Sequence, residues 1–199
     1  MKRDLLEQIV AVQRSAQSAI VVRDLTNGEQ FLLRENVPAP DTFPATIVDE
    51  ATRALRRDGA STLEADGNRY LIQTLSPPYR LLVVGAVHIA QALIPMAQVA
   101  GFSVLLIDPR AAFASSERFP GTAIDNRWPQ EAFEDVELTS RTAVVTLSHN
   151  AKIDEPALTA ALRSEAFYIG ALGSRKNHAK RSERLATAGF EDTDIARIA

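Results

Sequence analysis

Four short polar or glycine-containing stretches directly follow apolar runs, and they are the places where this chain could do chemistry. They are Gly85-Ala86-Val87-His88, Asp108-Pro109-Arg110, Ser148-His149-Asn150 and Gly173-Ser174-Arg175-Lys176. Backbone amides, hydroxyls and cationic side chains of this kind suit the binding of an anion. The sequence contains no serine-histidine-aspartate order, paired acid and base carboxylates or P-loop. It therefore predicts a ligand-binding site and assigns no catalytic residue.

The first stretch resembles a dinucleotide-binding turn with one substitution. Such a turn has glycine at its first and third positions and glycine or alanine at its sixth, where this chain has Gly85, Val87 and Ala90. The third glycine lets the backbone approach a pyrophosphate, so Val87 weakens the prediction of ordinary NAD binding. His88 adds a donor at the start of the next helix. A packing turn with an exposed histidine is the alternative interpretation.

The second and third stretches add polar groups at the ends of their strands. Asp108 lies about 20 residues beyond the first glycine, the spacing of the ribose acceptor in nucleotide folds, and Arg110 could contact a phosphate. Alternatively, Asp108 simply begins a turn before proline. We expect His149 and His88 to face one crevice. His178 would complete three histidines, but the spacing of a metal site is absent, so no metal is predicted.

The fourth stretch begins a strongly basic helix. Ser174 is a suitable N-cap, and Arg175, Lys176, Lys180 and Arg181 follow within two turns. Cations near a helix N-terminus oppose the helix dipole. An anion bound between them would explain the arrangement. The alternative is a solvated basic face, chiefly at Lys180 and Arg181.

Strands and helices alternate in the second half of the chain, and they could position these stretches. Short apolar runs such as LLVVG and TAVVTLS are typical of parallel strands buried on both faces. The helices predicted between them cover residues 88–100, 129–134, 156–163 and 175–188. Residues 79–199 are therefore predicted to form a doubly wound, Rossmann-like parallel sheet of the α/β class.

Residues 1–78 are predicted to form a small α+β domain. Its two helices are expected at residues 1–17 and 44–57, with Gly59 as C-cap of the second. Two hairpins are expected at Asn27-Gly28 and Asp66-Gly67, because both turn residues must tolerate positive φ. Pro77-Pro78 provides a stiff joint to the second domain.

Composition limits the classes of function. The net charge of −3 gives no general attraction to nucleic acid, and no apolar run approaches the roughly 20 residues of a membrane span. The sequence thus predicts a cytoplasmic protein with neither nucleic-acid nor membrane partners. Cysteine is absent, which excludes disulfides, thiolate ligands and a persulfide carried on this chain.

Four longer stretches together resemble the XdhC/CoxI family, accessory proteins for xanthine dehydrogenase and related molybdenum hydroxylases. They are VVGAVHIAQAL, GFSVLLIDPRAAFASSERFP, LSHNAKIDEPALTAAL and FYIGALGSRKNHAKRSERLATAGF. The resemblance implies a protein that binds and protects the molybdenum cofactor (molybdopterin), assists its sulfuration and delivers it to the hydroxylase. It further implies a cysteine desulfurase partner, which would supply the sulfur, and a homodimer. An NAD(P)-dependent oxidoreductase is the alternative function.

The family's motifs map onto the four stretches with two departures. Its Gly-Ala-Gly-His turn falls on residues 85–88, where Val87 replaces glycine, and its Thr-His-Asp segment falls on residues 148–150, where Asn150 replaces the acid. The Gly-Ser-Arg block is intact at residues 173–175. Residues 1–79 lack the GGC segment common in the family, and the chain stops at ARIA, where the family usually continues. We therefore expect a short or truncated member.

Overall fold

The computed structural model describes residues 3–14, 17–34, 37–55 and 58–199. The chain divides into two compact units, Met1–Pro77 and Pro78–Ala199. The predicted fold class is confirmed: an antiparallel sheet belongs to the first unit and a wholly parallel sheet to the second. The predicted ends of the first two helices at residues 1–2, 15–16 and 56–57 lie outside the described residues.

The first unit is a four-stranded antiparallel sheet in the order β2-β1-β4-β3. Its elements are α1 (Arg3–Arg14), β1 (Ala19–Asp24), β2 (Gln30–Arg34), α2 (Ala45–Ala54), β3 (Ala60–Ala65) and β4 (Asn68–Leu75). Gly28 and Gly67 have φ values of 78° and 79° in the two hairpin turns. Gly59 does not cap α2, because Leu55 is the C-cap and the Gly59 carbonyl accepts a hydrogen bond from Thr74 N instead.

The second unit is a five-stranded parallel sheet in the order β7-β6-β5-β8-β9. Its elements are β5 (Arg80–Val84), α3 (His88–Val99), β6 (Ser103–Ile107), β7 (Ala123–Asp125), α4 (Pro129–Ala132), β8 (Thr142–Thr146), α5 (Ala151–Leu162), β9 (Tyr168–Ala171), α6 (Arg175–Thr187) and α7 (Asp192–Ile195). The strand order reverses between β5 and β8. Ligands of doubly wound sheets bind at such a point, outside the carboxyl ends of the strands.

Apolar side chains cover both faces of the central strand. Leu81 and Val83 of β5 pack in the cluster that contains Ile94 of α3. Leu82 faces the other way and packs with Leu158 of α5 and Leu185 of α6. Successive side chains of a strand point to opposite faces, so the uninterrupted apolar run of β5 follows from burial on both sides.

Helix α5 begins earlier than predicted, and two short elements, β7 and α7, were not predicted. Helix α5 begins at Ala151 and not at Pro156, so the proline lies inside the helix. Proline favours the first turn, which is why the sequence suggested a later start. Strand β7 was not predicted, because three residues at the edge of a sheet give little apolar periodicity. In the described part of the chain, no helix is long and apolar enough to cross a membrane.

Candidate functional site

Parallel strand direction brings the four predicted stretches to one edge of the sheet. Residues 85–88 follow β5, residues 108–110 follow β6, residues 148–150 follow β8, and residues 173–176 follow β9. Backbone hydrogen bonds connect the first three: Gly85 N donates to Ile107 O at 2.9 Å, and Leu147 N donates to Val84 O at 2.8 Å. The loops that flank the reversal of strand order are thus held side by side.

Gly85 is the residue at which this edge requires glycine. Its φ of 110° is unfavourable for any residue that has a Cβ atom. A Cβ atom added there would lie 2.7 Å from the amide nitrogen of Ser148. The turn after β5 therefore touches the turn after β8, as expected for two loops that share a crevice.

Val87 has an ordinary backbone conformation, with φ −90° and ψ 171°, so the chain path there does not require glycine. Its side chain packs partly buried against the α3 cluster. As N-cap of α3 it provides no side-chain hydrogen bond. First-turn amides of α3 thus have no side-chain cap within the described residues, and His88 beside them is exposed.

Asp108 joins the first loop to the second. Its fully buried carboxylate accepts hydrogen bonds from Ala86 N at 2.7 Å, from Arg110 N at 2.9 Å, and from Arg110 Nε and Nη2 at 2.9 and 2.7 Å. Burial alone raises the pKa of Asp108, but these hydrogen bonds together lower it below its usual value. These hydrogen bonds give Asp108 a turn-forming role, and its expected role as a ribose acceptor stays a prediction. Pro109, between Asp108 and Arg110 in the chain, is half-buried.

Arg118 is a site residue that sequence reasoning missed. Its Nη1 donates to Ala86 O at 3.1 Å and to Phe113 O at 2.5 Å. It thereby fastens the long connection between β6 and β7 to the first turn. Nothing in the local sequence distinguishes this arginine from a solvated loop residue.

The turn after β8 is shaped by its serine and asparagine. Asn150 Oδ1 accepts from Lys152 N at 3.0 Å and caps α5. Ser148 Oγ donates to Asp154 Oδ1 at 2.6 Å. His149 lies between them, exposed and with a φ of 59°, a conformation that is costly for a residue other than glycine. Such strain is often found at binding sites.

Asp154 is a second buried acid that the sequence analysis did not single out. It is 2% exposed and accepts hydrogen bonds only from the backbone and hydroxyl of Ser148 among the described residues. Burial raises the pKa of Asp154 above its usual value, while the Ser148 hydrogen bonds and the positive charge of Arg181 oppose the shift. An acid four residues into α5 looks like an ordinary helix residue in the sequence.

The basic stretch after β9 divides into exposed and buried cations. Ser174 caps α6 as predicted, with Oγ accepting from Asn177 N at 3.3 Å, and Arg175 and Lys176 are exposed. The solvated-face interpretation is wrong for Arg181, which is 5% exposed. Its guanidinium donates from Nη1 to Ala171 O at 3.3 Å and from Nη2 to Leu172 O at 3.0 Å.

The three histidines do not assemble into a metal site. Within the described residues, which include His88, His149 and His178, no three histidine or acidic side chains are grouped closely enough to hold an ion. The edge of the sheet therefore offers amides, hydroxyls and cations, a donor set that suits an anionic organic ligand.

Comparison with known proteins places these residues in a family context. A family model described as the XdhC Rossmann domain matches residues 81–199. The chain is similar to the molybdenum cofactor insertion chaperone PaoD of Escherichia coli (strain K12), at 28% identity over 61% of this chain and 32% of that protein. It is also similar to a probable xanthine dehydrogenase subunit of Bacillus subtilis (strain 168), at 30% identity over 57% of this chain and 34% of that protein.

The chain spans about a third of the length of these curated relatives. A crystal structure of a xanthine dehydrogenase from Bacillus halodurans is similar to 94% of this chain and 54% of its own, with a TM-score of 0.67 at 22% identity. That likeness establishes a shared fold.

Replacing Gly85 by alanine tests the contact between the first and third loops. Gly101→Ala is the matched control, because Gly101 also has positive φ but no atom lies within 4 Å of an added Cβ. The control should lose about 1 kcal/mol of unfolding free energy. Gly85→Ala should lose a further ~1–3 kcal/mol by overlap with Ser148. Urea denaturation followed by Trp128 fluorescence measures both, and equal losses would contradict the contact.

Asp154→Asn tests the buried acid. Because the folded-state pKa of Asp154 exceeds the unfolded value of about 3.9, the folded protein holds this proton more tightly than the unfolded chain. Wild-type stability should therefore fall as the pH rises from about 4 through the folded-state pKa. Asparagine keeps an oxygen for Ser148 but carries no charge.

The difference in unfolding free energy between Asp154→Asn and the wild type should thus shift in favour of the variant across that interval and become constant above it. Urea denaturation in steps from acidic to neutral pH measures the difference. A constant difference throughout, or a shift in favour of the wild type, would show that burial of the charge is not costly.

Proposed function

This chain belongs to the XdhC family, and we propose that it is a molybdenum cofactor chaperone. It binds the cofactor at the carboxyl edge of its parallel sheet, protects it, assists its sulfuration and delivers it to a hydroxylase of the xanthine dehydrogenase type. The observation that carries the proposal is the meeting of the β5 and β8 turns at the reversal of strand order. The names of the two curated relatives, one a cofactor insertion chaperone and the other a xanthine dehydrogenase component, support the choice of ligand.

The donor set at this edge fits a cofactor that carries a phosphate. First-turn amides of α3 have no side-chain cap in the described chain, and amides there attract negative charge. Arg175 and Lys176 are exposed at the beginning of α6, and neither forms an ion pair with another described residue. The bound cofactor would supply the redox chemistry of the client enzyme.

Each part of the crevice has a distinct task in this proposal. The amides of α3, Arg175 and Lys176 attract the anionic end of the ligand. His88 and His149 are exposed donors on either side of the reversal point, and they orient the ligand. Asp108, Ser148 and Asn150 hold the loops in place through the hydrogen bonds described above, and so act as positioning residues.

The partners follow from the same proposal. Because the chain has no cysteine, it cannot carry sulfur as its own persulfide. A cysteine desulfurase therefore provides the sulfur while this chain shelters the cofactor. The setting is cytoplasmic. No feature of the site favours the NAD(P) alternative, since Val87 occupies the glycine position and the Asp108 carboxylate is fully buried.

A homodimer is also part of the proposal, and the second unit has an apolar surface that supports it. A groove of about 750 Å³ lies beside α3 and β9, and its lining has no charged side chain. Met96 of the lining is 62% exposed, and Val99 on the adjacent ridge of α3 is 90% exposed. A ridge beside a groove on one surface is the shape that a twofold, self-complementary interface needs.

Arg175→Ala tests cofactor binding. The wild-type protein, incubated anaerobically with molybdenum cofactor, should elute from gel filtration with molybdenum, measured by metal analysis. Loss of one charge-assisted contact should reduce the retained metal about tenfold. Arg163→Ala is the control, because Arg163 is exposed at the opposite end of α5, and it should retain the wild-type amount.

Absence of molybdenum from the wild-type peak would contradict the proposal. Thermal shifts with NAD and NADP on the same sample would then identify a nicotinamide-binding protein if either cofactor stabilises the chain.

Met96→Glu tests the homodimer. A carboxylate in the apolar groove would have to be buried in the interface at high cost, so the variant should sediment as a monomer and the wild type as a dimer in analytical ultracentrifugation. Leu25→Glu, at an exposed apolar position of the first unit, should remain dimeric. A wild type that is monomeric at all concentrations, or a Met96→Glu variant that is dimeric, would contradict a homodimer formed through this groove.

A further inference from the structure

A small polar cavity lies between α5 and α6 and borders the loop after β8. Its volume is about 110 Å³, and its polar lining includes His149, Asn177, Lys180, Arg181 and Arg184. A cavity of this size has room for several waters or for a small group such as one tetrahedral oxyanion.

Arg181 provides a buried cation in this lining. The residue is 5% exposed, and two of its guanidinium N–H groups donate to the carbonyls of Ala171 and Leu172 at the end of β9. No carboxylate of the described residues lies within ion-pair distance of it. Burying a guanidinium without a direct counterion is costly, and an anion in the cavity would reduce that cost.

Gly173 lies beside this guanidinium, at a position that would also accommodate a Cβ atom. A Cβ atom at Gly173 would lie 3.5 Å from Arg181 Nη2 and equally far from Asn177 Cβ. Ser174 caps the helix immediately afterwards, which directs the first turn of α6, with Asn177, towards the same region. Ser174 therefore fixes the start of the helix whose first turn carries Asn177.

The charges that line the cavity sum to an excess of positive charge. Lys180, Arg181 and Arg184 are opposed by the carboxylates of Asp154 and Glu155. Glu155 is already paired with Arg184, and the Asp154 carboxylate, which accepts from the neutral Ser148 hydroxyl, attracts Arg181 from beyond ion-pair distance. Lys180 therefore supplies the excess charge. Lys180 is exposed and has no ion-pair partner among the described residues. An incoming anion would therefore meet Lys180 first and Arg181 at the inner wall.

We infer that this cavity is a subsite for a phosphate group, with Arg181 as the buried anchor and Lys180 and Asn177 as donors at the entrance. The identity of the ligand rests on the proposed function: the phosphate is that of the molybdenum cofactor. The subsite adds Asn177 and Arg184 to the basic residues Lys180 and Arg181, between which the sequence already suggested a bound anion. It lies next to His149, so the rest of a ligand bound there can extend into the crevice.

Lys180→Ala tests the subsite, with inorganic phosphate as the probe in isothermal titration calorimetry. The wild type should bind phosphate, and the variant should bind it about tenfold more weakly. Lys152→Ala is the matched control, because it removes the same charge from an exposed site on the first turn of α5 that does not line this cavity. It should stay within about twofold of the wild type, since an exposed charge that does not line the cavity is screened by solvent and salt.

Arg181→Met serves as a second variant, provided that its circular dichroism spectrum is that of the wild type, and it should bind no measurable phosphate. Equal weakening by Lys180→Ala and Lys152→Ala would show general attraction to a basic surface and overturn the subsite. So would a wild-type protein that does not bind phosphate.

The gel-filtration assay separates this inference from the proposed function. If the phosphate belongs to the cofactor, added inorganic phosphate and Lys180→Ala should each lower the molybdenum retained by the protein. Retention that neither treatment changes would overturn the assignment to the cofactor and leave the chaperone function standing. Phosphate binding that depends on Lys180 in a protein that retains no molybdenum would support the subsite and remove the proposed function.

Discussion

The burial of charge at the carboxyl edge of the parallel sheet constrains the rest of the second unit. Asp108 cannot be solvated at the end of β6, so its carboxylate must be satisfied by neighbouring donors. Ala86 N and Arg110 supply them, and in doing so they fasten the turn after β5 to the turn after β6. Arg118 adds a bond to the carbonyl of the same Ala86. The turn that begins α3 is thus held from both its amide and its carbonyl side.

On the side of β8 and β9, the buried charged groups have fewer direct partners of opposite charge. Asp154 has no cation in direct contact among the described residues, and burial raises its pKa, whereas the paired Asp108 has a lowered pKa. Arg181, close enough to influence Asp154, is held by carbonyl groups instead of a carboxylate. One half of the edge therefore pairs its buried charge internally, whereas Arg181 in the other half has no direct counterion among the described residues.

The two departures from the family motif have modest local consequences. Val87 adopts an extended backbone that any residue tolerates, so it changes the surface of the turn and not its path. Asn150 retains the capping function that an aspartate would have, because its side-chain oxygen accepts from Lys152 N. The position that does require glycine is Gly85, where both the φ angle and the contact with Ser148 demand it.

Local signals in the sequence determined the class of the fold, the order of most elements and the cap at Ser174, because strand periodicity and capping depend on residues close together in the chain. They also located the four loops, since the carboxyl ends of parallel strands share one edge. Tertiary structure alone decided the burial of Arg181 and Asp154. It also decided which donors bind the Asp108 carboxylate and which carbonyl groups Arg118 contacts. Each depends on which distant backbone groups lie within hydrogen-bond distance after α5, α6 and the β6–β7 connection pack against the sheet. An arginine that will be solvated and one that will be buried look the same in a sequence until that packing brings carbonyl groups to the buried one.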